Sequence, residues 1–507
     1  MRTDIGRRWS EFVRSLGPAG VALLGLIVLG VALRIVTELS WWPTATNLAD
    51  SGIYAKFAES NPFADPQHPA GYALILASIG ALTREVAVPI VLQHLTGIAS
   101  ALLLYGATRR ITGSVWAGLL PAAIVLLNPD EVLLEHAIMA ESWAILAASA
   151  GLYAAVRALD EPRPLWRWPL AAGLLLAVAV TIRTAGLAML AVVVLALLLA
   201  PPRQARAWRS RERWATPLAA AGGAAVVLVA FALANAALGP RFGIGPSPGW
   251  YLYARAAQFA DCSQFTPPPG TEALCEDTPP DERRGARYYV FDPSAPAPRL
   301  FGAFPDQTDS TADKLLGSWA KRAVLAQPGD YARSVWENLR AYWVPSLMPV
   351  AAGEGEGLDP LLDYRLGVDD AFSAQVQLNV ADQMQVFFDD FSLDRHRAPL
   401  EAISSWQQVS RFGGTMLALA TVLVVAGLIA GTRRERVGEL MLGVGGLALI
   451  AAPALTGNYT GRYTVPMAGP MLAGAAIALV ALWREGRSRR QASHPPREPS
   501  ASPVFRD

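Results

Sequence analysis

Cysteine is almost absent from this chain, with two in 507 residues, Cys262 and Cys275, and no CxxC pair. There is no glycine-rich phosphate loop and no Walker motif, which excludes a soluble ATP-driven motor. Charge is scarce as well: 17% of residues are charged, against about 25% in an ordinary soluble domain. Lysine is nearly missing, with only Lys56, Lys314 and Lys321 beside a large excess of arginine. Together with abundant Ala, Gly and Pro, this reads as the coding bias of a GC-rich genome and not as a nucleic-acid surface. No internal repeat is evident. The net charge of +1 carries no message, because the charge is segregated along the chain.

What the chain does have is apolar sequence: 52% hydrophobic residues and a mean hydropathy of +0.29. Several runs approach the roughly 20 residues needed to cross a bilayer. The N-terminal run could imitate a signal peptide, but its apolar core is long and no small-x-small site precedes "SWWPT", so it reads as a retained first span. Candidate spans cover 18–37, 86–108, 114–128, 142–157, 169–183, 185–200, 215–238, 409–431, 437–455 and 464–483. Arginine clusters occur at Arg2/Arg7/Arg8/Arg14, Arg109/Arg110, Arg157/Arg163/Arg167, Arg203–Arg213, Arg433/Arg434/Arg436 and Arg484–Arg490. The positive-inside rule places all of them in the cytoplasm. Successive clusters must then be separated by an even number of spans. That holds if the short run 69–83, "PAGYALILASIGALT", stays at the interface. Both termini are then cytoplasmic, and the first loop and residues 239–408 lie outside.

The expected organisation is a cytoplasmic N-terminus (1–17), an N-terminal membrane module (18–238) with first outside loop 38–85, an extracytoplasmic domain (239–408), C-terminal membrane helices (409–483) and a disordered cytoplasmic tail (484–507). In the outside domain, 249–260, "TADKLLGSWAKRAVLAQ" and "DYARSVWENLRAYWV" have helical periodicity with aromatic faces. The stretch between them is Pro-rich, and 353–370 reads as an acidic loop. Both cysteines fall in this domain, where an oxidising compartment favours a Cys262–Cys275 disulfide.

The stretch "NLADSGIYAKFAESNPFADPQHPAGY", 47–72, concentrates polar residues between two apolar runs. Asp50 can act as a general base at the mouth of a membrane bundle, or merely cap the helix that follows. Glu141 opens a span, where burial of a carboxylate is costly and therefore points to function. His136, five residues earlier, could reach the same cavity, whereas Asp130 and Glu131 read as a solvated interfacial turn. Arg183, at a hairpin between two spans, and Arg462, in "GNYTGRYTVPM", suit a lipid phosphate, because guanidinium binds phosphate bidentately. Arg34, inside the first span, reads instead as snorkelling or as a structural pair with a loop carboxylate. His68, before Pro69, could serve the same phosphate or a metal.

"DSGIY" (Asp50 to Tyr54), "HPAGY" at 68–72, Glu141 after "LLNP", and "GRYTVPM" before the last span form an ordered pattern. It resembles the GT-C superfamily of polyprenyl-phosphate-sugar-dependent glycosyltransferases, in its aminoarabinose-transferase and protein O-mannosyltransferase branch. The resemblance covers roughly 15–200 and, more thinly, 455–485. It implies an all-α polytopic membrane fold, a GT-C helical bundle of about ten transmembrane helices with juxtamembrane helices and one extracytoplasmic mixed or mainly helical domain. It also implies a plasma (inner) membrane enzyme with its active site on the extracytoplasmic face. That enzyme would move a hexosyl or pentosyl group from a polyprenyl-phosphate donor to a glycan, lipid or protein acceptor with inversion. In this scheme Asp50 and Glu141 are catalytic, and Tyr54, His68, Arg183, Arg462 and Tyr463 bind substrate. Ser51 stands where the two named families carry a second adjacent acid, which removes the paired carboxylate. A divalent ion is left open as cofactor, with Asp50, Glu141 and His136 as its ligands, and no nucleic acid is expected. The rival readings are a transporter or flippase of lipid-linked sugars, a polysaccharide polymerase or ligase, and a scaffold that binds through 239–408.

Overall fold

The computed structural model describes residues 2–40, 42–44, 49–160, 166–200, 211–245, 247–302, 310–343, 379–392, 406, 410–457 and 461–493. The acidic segment 353–370 and residues 494–507 lie outside these. No strand occurs among the described residues.

The N-terminal part comprises α1 (Arg2–Ser40), α2 (Ala49–Glu59), α3 (Gly71–Gly80), α4 (Ala87–Thr112), α5 (Leu119–Leu127), α6 (Pro129–Glu135), α7 (Glu141–Asp160), α8 (Arg167–Ile182), α9 (Gly186–Leu199) and α10 (Arg211–Leu238). The middle holds α11 (Pro248–Ala257), α12 (Ala286–Phe291), α13 (Pro296–Phe301), α14 (Ser310–Ala326) and α15 (Pro328–Ala341). The last membrane helices are α16 (Gly414–Ala430), α17 (Arg433–Thr456) and α18 (Thr464–Ser493). A π-helical turn, Leu440–Val444, interrupts α17.

Among the described residues, six helices are long and apolar enough to cross a membrane: Gly17–Ser40 within α1, α4, α7, Trp214–Leu238 within α10, α17, and Thr464–Gln491 within α18. The chain is a multi-pass membrane protein. Three further expected spans coincide with the shorter apolar helices α8, α9 and α16. The tenth, 114–128, is only the nine-residue α5. The Asn128–Pro129 step ends it: Asn128 turns extended, and its side chain accepts the Asp130 N–H to start α6. The short run 69–83 forms the ten-residue α3. The C-terminal helix runs on to Ser493, beyond the start expected for the tail.

Three apolar cores order these helices. The bundle core joins α4, α5, α7–α9 and α16–α18. A second core lies beneath α2 and α3, where Tyr54, Tyr72 and Leu76 meet Leu133, Met139 and Ile182. Residues 379–391 belong to this second core through Val380, Met384, Phe387 and Phe388. They are pinned there by the Asp390 carboxylate accepting Val86 N–H at 2.9 Å and by Arg84 donating to Phe387 O at 3.1 Å. The third core, around Trp250, Tyr253, Tyr289 and Trp319, unites α11–α14. The expected outside region therefore divides: 247–341 builds its own helical core, while 379–392 covers the first loop. The Cys262–Cys275 disulfide is present, closing the Pro-rich stretch that follows α11.

Candidate active site

The first-loop helix α2 begins at Ala49, which places Asp50 in its first turn. Its carboxylate reaches two cations from elsewhere in the chain. Arg462 Nη2 lies 2.7 Å from Asp50 Oδ2, and His68 Nε2 lies 3.7 Å from the same oxygen. His68 is oriented from behind. Its Nδ1 meets Asp65 Oδ2 at 2.9 Å, and the other Asp65 oxygen accepts the backbone N–H groups of Gln67 and His68. The Tyr54 ring lies 4.6 Å from the imidazole and edge-on to Tyr72.

"HPAGY" carries out a packing task. At Gly71 an added Cβ would meet Thr181 O at 2.4 Å and Ile182 N at 2.9 Å. Only glycine lets the start of α3 rest on the last turn of α8. That contact brings His68 toward Arg183, the residue that ends α8.

Glu141 opens α7 and is 1% exposed. Its Oε1 accepts from Arg183 Nη1 at 2.6 Å and lies 3.7 Å from Arg462 Nε. Its Oε2 has no hydrogen-bond partner among the described residues. Both guanidiniums lie over the ring of Tyr463, at 5.5 Å for Arg183 and 5.8 Å for Arg462. Arg462 therefore bridges Asp50 and Glu141. Every residue proposed for base or substrate contact comes to one site, assembled from α2, the loop before α3, the head of α7, the end of α8 and the turn before α18. Beside it, an opening lies between loop 62–70 and residues 235–245, with His68 and Asp65 on its wall.

The charges are balanced internally. Burial alone would raise the Asp50 carboxyl, but Arg462 and then His68 outweigh it and hold the group well below the usual carboxylate range. Burial disfavours the His68 cation, yet Asp65 and Asp50 prevail and push it up to about 9. The carboxyl groups of Asp50, Asp65 and Glu141 thus face the guanidiniums of Arg183 and Arg462 and the imidazole of His68. Burial works against the Arg462 cation, but Asp50 and Glu141 overcome it and hold its pKa well above the ordinary value.

Other residues are placed differently from expectation. His136 does not face Asp50 or Glu141; its Nδ1 lies 3.2 Å from Glu38 Oε2. Asp130 and Glu131 are buried, not solvated. Asp130 takes a two-point contact from Arg411, at 2.7 and 3.1 Å, a partner 281 positions away that local sequence does not announce. Arg34 is a structural pair, donating twice to Glu135 at 2.7 Å and also to Leu126 O. Asp65 carries no signal in the sequence beyond its i, i+3 spacing from His68.

Helices α11 and α15 also support the site. Arg255, on α11, donates to Gly457 O, and Tyr331, on α15, donates to Leu455 O at 3.1 Å. Both carbonyls belong to the segment that leads to Arg462.

Residues 90–242, which include Glu141 and Arg183, match the family model described as dolichyl-phosphate-mannose-protein mannosyltransferase. The match leaves out Asp50, His68 and Arg462. Among solved structures, the chain is similar to the apo oligosaccharyltransferase of Archaeoglobus fulgidus, with 14% identity over 94% of this chain and 53% of that one and a TM-score of 0.39. The same archaeal enzyme in complex with an inhibitory peptide and a dolichol-phosphate gives 13% identity over 94% of this chain and 52% of that one, also with a TM-score of 0.39. ArnT from Cupriavidus metallidurans bound to undecaprenyl phosphate gives 13% identity, 94% and 80% coverage and a TM-score of 0.36. The chain spans about half the length of the archaeal structures it matches. No curated protein sequence matches it.

Proposed function

We propose that this protein is a membrane glycosyltransferase that moves a sugar from a polyprenyl-phosphate donor to a hydroxyl acceptor on the extracytoplasmic side. The observation that carries this reading is the bridge of Arg462 between Asp50 and Glu141, with Arg183 alongside. It puts a carboxylate base next to two guanidiniums suited to a phosphate.

The reaction balances without a general acid. The acceptor O–H passes its proton to Asp50 as its oxygen forms a bond to the anomeric carbon. The anomeric carbon–phosphate oxygen bond breaks, and the electron pair leaves with the polyprenyl phosphate. Attack opposite the departing phosphate inverts the anomeric centre. Arg183 and Arg462 stabilise the charge that grows on the phosphate, where preformed donors act most strongly.

Donor binding and base strength are linked on this reading. With Arg462 at 2.7 Å, Asp50 is a poor proton acceptor. A donor phosphate competes for that guanidinium and adds negative charge, and both effects raise the basicity of Asp50. The charge that a divalent ion would bring to Asp50 and Glu141 is supplied here by Arg183 and Arg462.

The test is product formation in membranes expressing the chain, supplied with a panel of radiolabelled polyprenyl-phosphate sugars. We expect label in an extractable acceptor from at least one donor, lost in Asp50→Asn. No transfer from any donor above membranes lacking the chain, or transport of the intact lipid without transfer, would overturn the reading and favour the rival classes.

A further inference from the structure

A second polar cluster lies apart from the Asp50 site, at the junction of α1, α4 and the turn after α6. Glu38 Oε2 stands 3.2 Å from His136 Nδ1 and 3.8 Å from His94 Nε2, and the three ligand atoms lie within 4.8 Å of one another. His94 is 8% exposed and His136 is fully buried. His94 Nε2 has no hydrogen-bond partner among the described residues, although it is buried and aimed at the cluster.

The surroundings are those of a ligand set. His94 is held from behind by Glu135, whose Oε2 lies 2.9 Å from His94 Nδ1, and Glu135 is held in turn by Arg34. A carboxylate behind a metal-binding imidazole fixes the ring and raises its basicity. Gln93 donates to the carbonyls on both sides of His136, Glu135 O at 2.7 Å and Ala137 O at 2.6 Å, and Thr44 donates to His136 O at 2.7 Å.

We propose that Glu38, His94 and His136 bind one zinc-class divalent ion, which fastens the end of α1 to α4 and to the turn leading into Glu141. Two imidazoles and one carboxylate suit zinc and select against magnesium and calcium, which take oxygen ligands. A tetrahedron with bonds of about 2.1 Å has edges of about 3.4 Å, close to two of the separations found. The fourth position takes water. The ion touches no substrate here; it acts by positioning. Gln93, which clamps His136, also accepts from Tyr72 O–H, and Tyr72 packs against Tyr54 beside His68.

Metal content decides the matter. The full chain, purified in detergent from zinc-supplemented cells without chelator, should carry about one zinc per chain by elemental analysis. His136→Gln and Glu38→Gln should lower the content at least about tenfold, while Asp50→Asn retains it. Cobalt exchanged into the wild-type protein should show the visible absorption of a tetrahedral ion. That wild-type spectrum decides the matter if the variants do not fold. Wild-type protein without zinc, content unchanged in the two variants, loss in Asp50→Asn instead, or a featureless cobalt spectrum would each overturn the site. None of these outcomes bears on transfer chemistry at Asp50, so the two readings fail separately.

Discussion

At the level of single side chains, Asp50 and the two arginines should leave different kinetic signatures. Asp50→Asn is nearly isosteric, and a general base typically contributes about 10²- to 10⁴-fold. We expect turnover to fall by about that much with donor affinity near normal. On the proposed reading, Arg183→Ala and Arg462→Ala would remove phosphate contacts made before as well as during the reaction, so both should raise the donor KM. One purified assay with variable donor separates the two, and full turnover in Asp50→Asn would pass the role of base to Glu141. His68 adds a pH dependence. Its pKa is raised from 6.5 to about 9 by Asp65 and Asp50, against burial. The stabilisation from its ion pairs is complete below about pH 6.5 and disappears as pH rises through about 9. Asp50 has the opposite sign: its depressed pKa keeps its pairing intact above its ordinary value of 3.8 and loses it only in stronger acid. The pH–rate profile should therefore have an alkaline limb near 9 that His68→Gln abolishes. An unchanged limb in that variant would assign it to another group.

Among helices and loops, the contact of α3 with α8 decides where His68 stands. Gly71→Ala would drive a methyl group into the Thr181–Ile182 backbone, which cannot rotate away as a side chain can. Overpacking of this kind costs about 1–3 kcal/mol. A lower midpoint in a thermal scan in detergent, with a loss of activity, is the expected outcome; a wild-type scan would refute the packing role. The disulfide is the staple of the middle region. Cys262 and Cys275 are 13 residues apart, and closing a loop of that size stabilises by about 3 kcal/mol on the chain-entropy account. Alkylation before and after reduction, read by peptide mass, should label both cysteines only after reduction.

For the molecule as a whole, the arginine pattern and the helices make a joint prediction about sidedness. Asp50, the Cys262–Cys275 loop and α11–α15 should share one side of the membrane, and 203–213 should lie on the other. In a background lacking Cys262 and Cys275, an impermeant thiol reagent added to intact cells should modify Leu300→Cys and spare Arg209→Cys. Modification at 209 would invert or break the scheme. Arg255 and Tyr331 hold the segment before Arg462 by its carbonyls, so α11 and α15 help to fix the position of that arginine.

Composition and apolar periodicity were enough to reveal a helical, polytopic membrane protein, because a span must satisfy its own backbone and therefore writes its length into sequence. They also revealed α11, α14 and α15 of the middle region, though not the short α12 and α13, and the short run that became α3. The short motifs marked Asp50, His68, Glu141, Arg183 and Arg462, because charge beside or within a membrane is costly and stands out. Pairing was another matter. That Arg462 joins Asp50 to Glu141, that Arg411 neutralises Asp130, and that His136 turns to Glu38 and His94 are contacts between residues distant in the chain. They are set by how helices pack, which local sequence does not encode. The same holds for 379–392, which leaves the middle region to cover α2 and α3, since its apolar face could have been buried in either core. Local physics therefore selected which residues are charged and which are buried; tertiary packing alone decided which charge meets which.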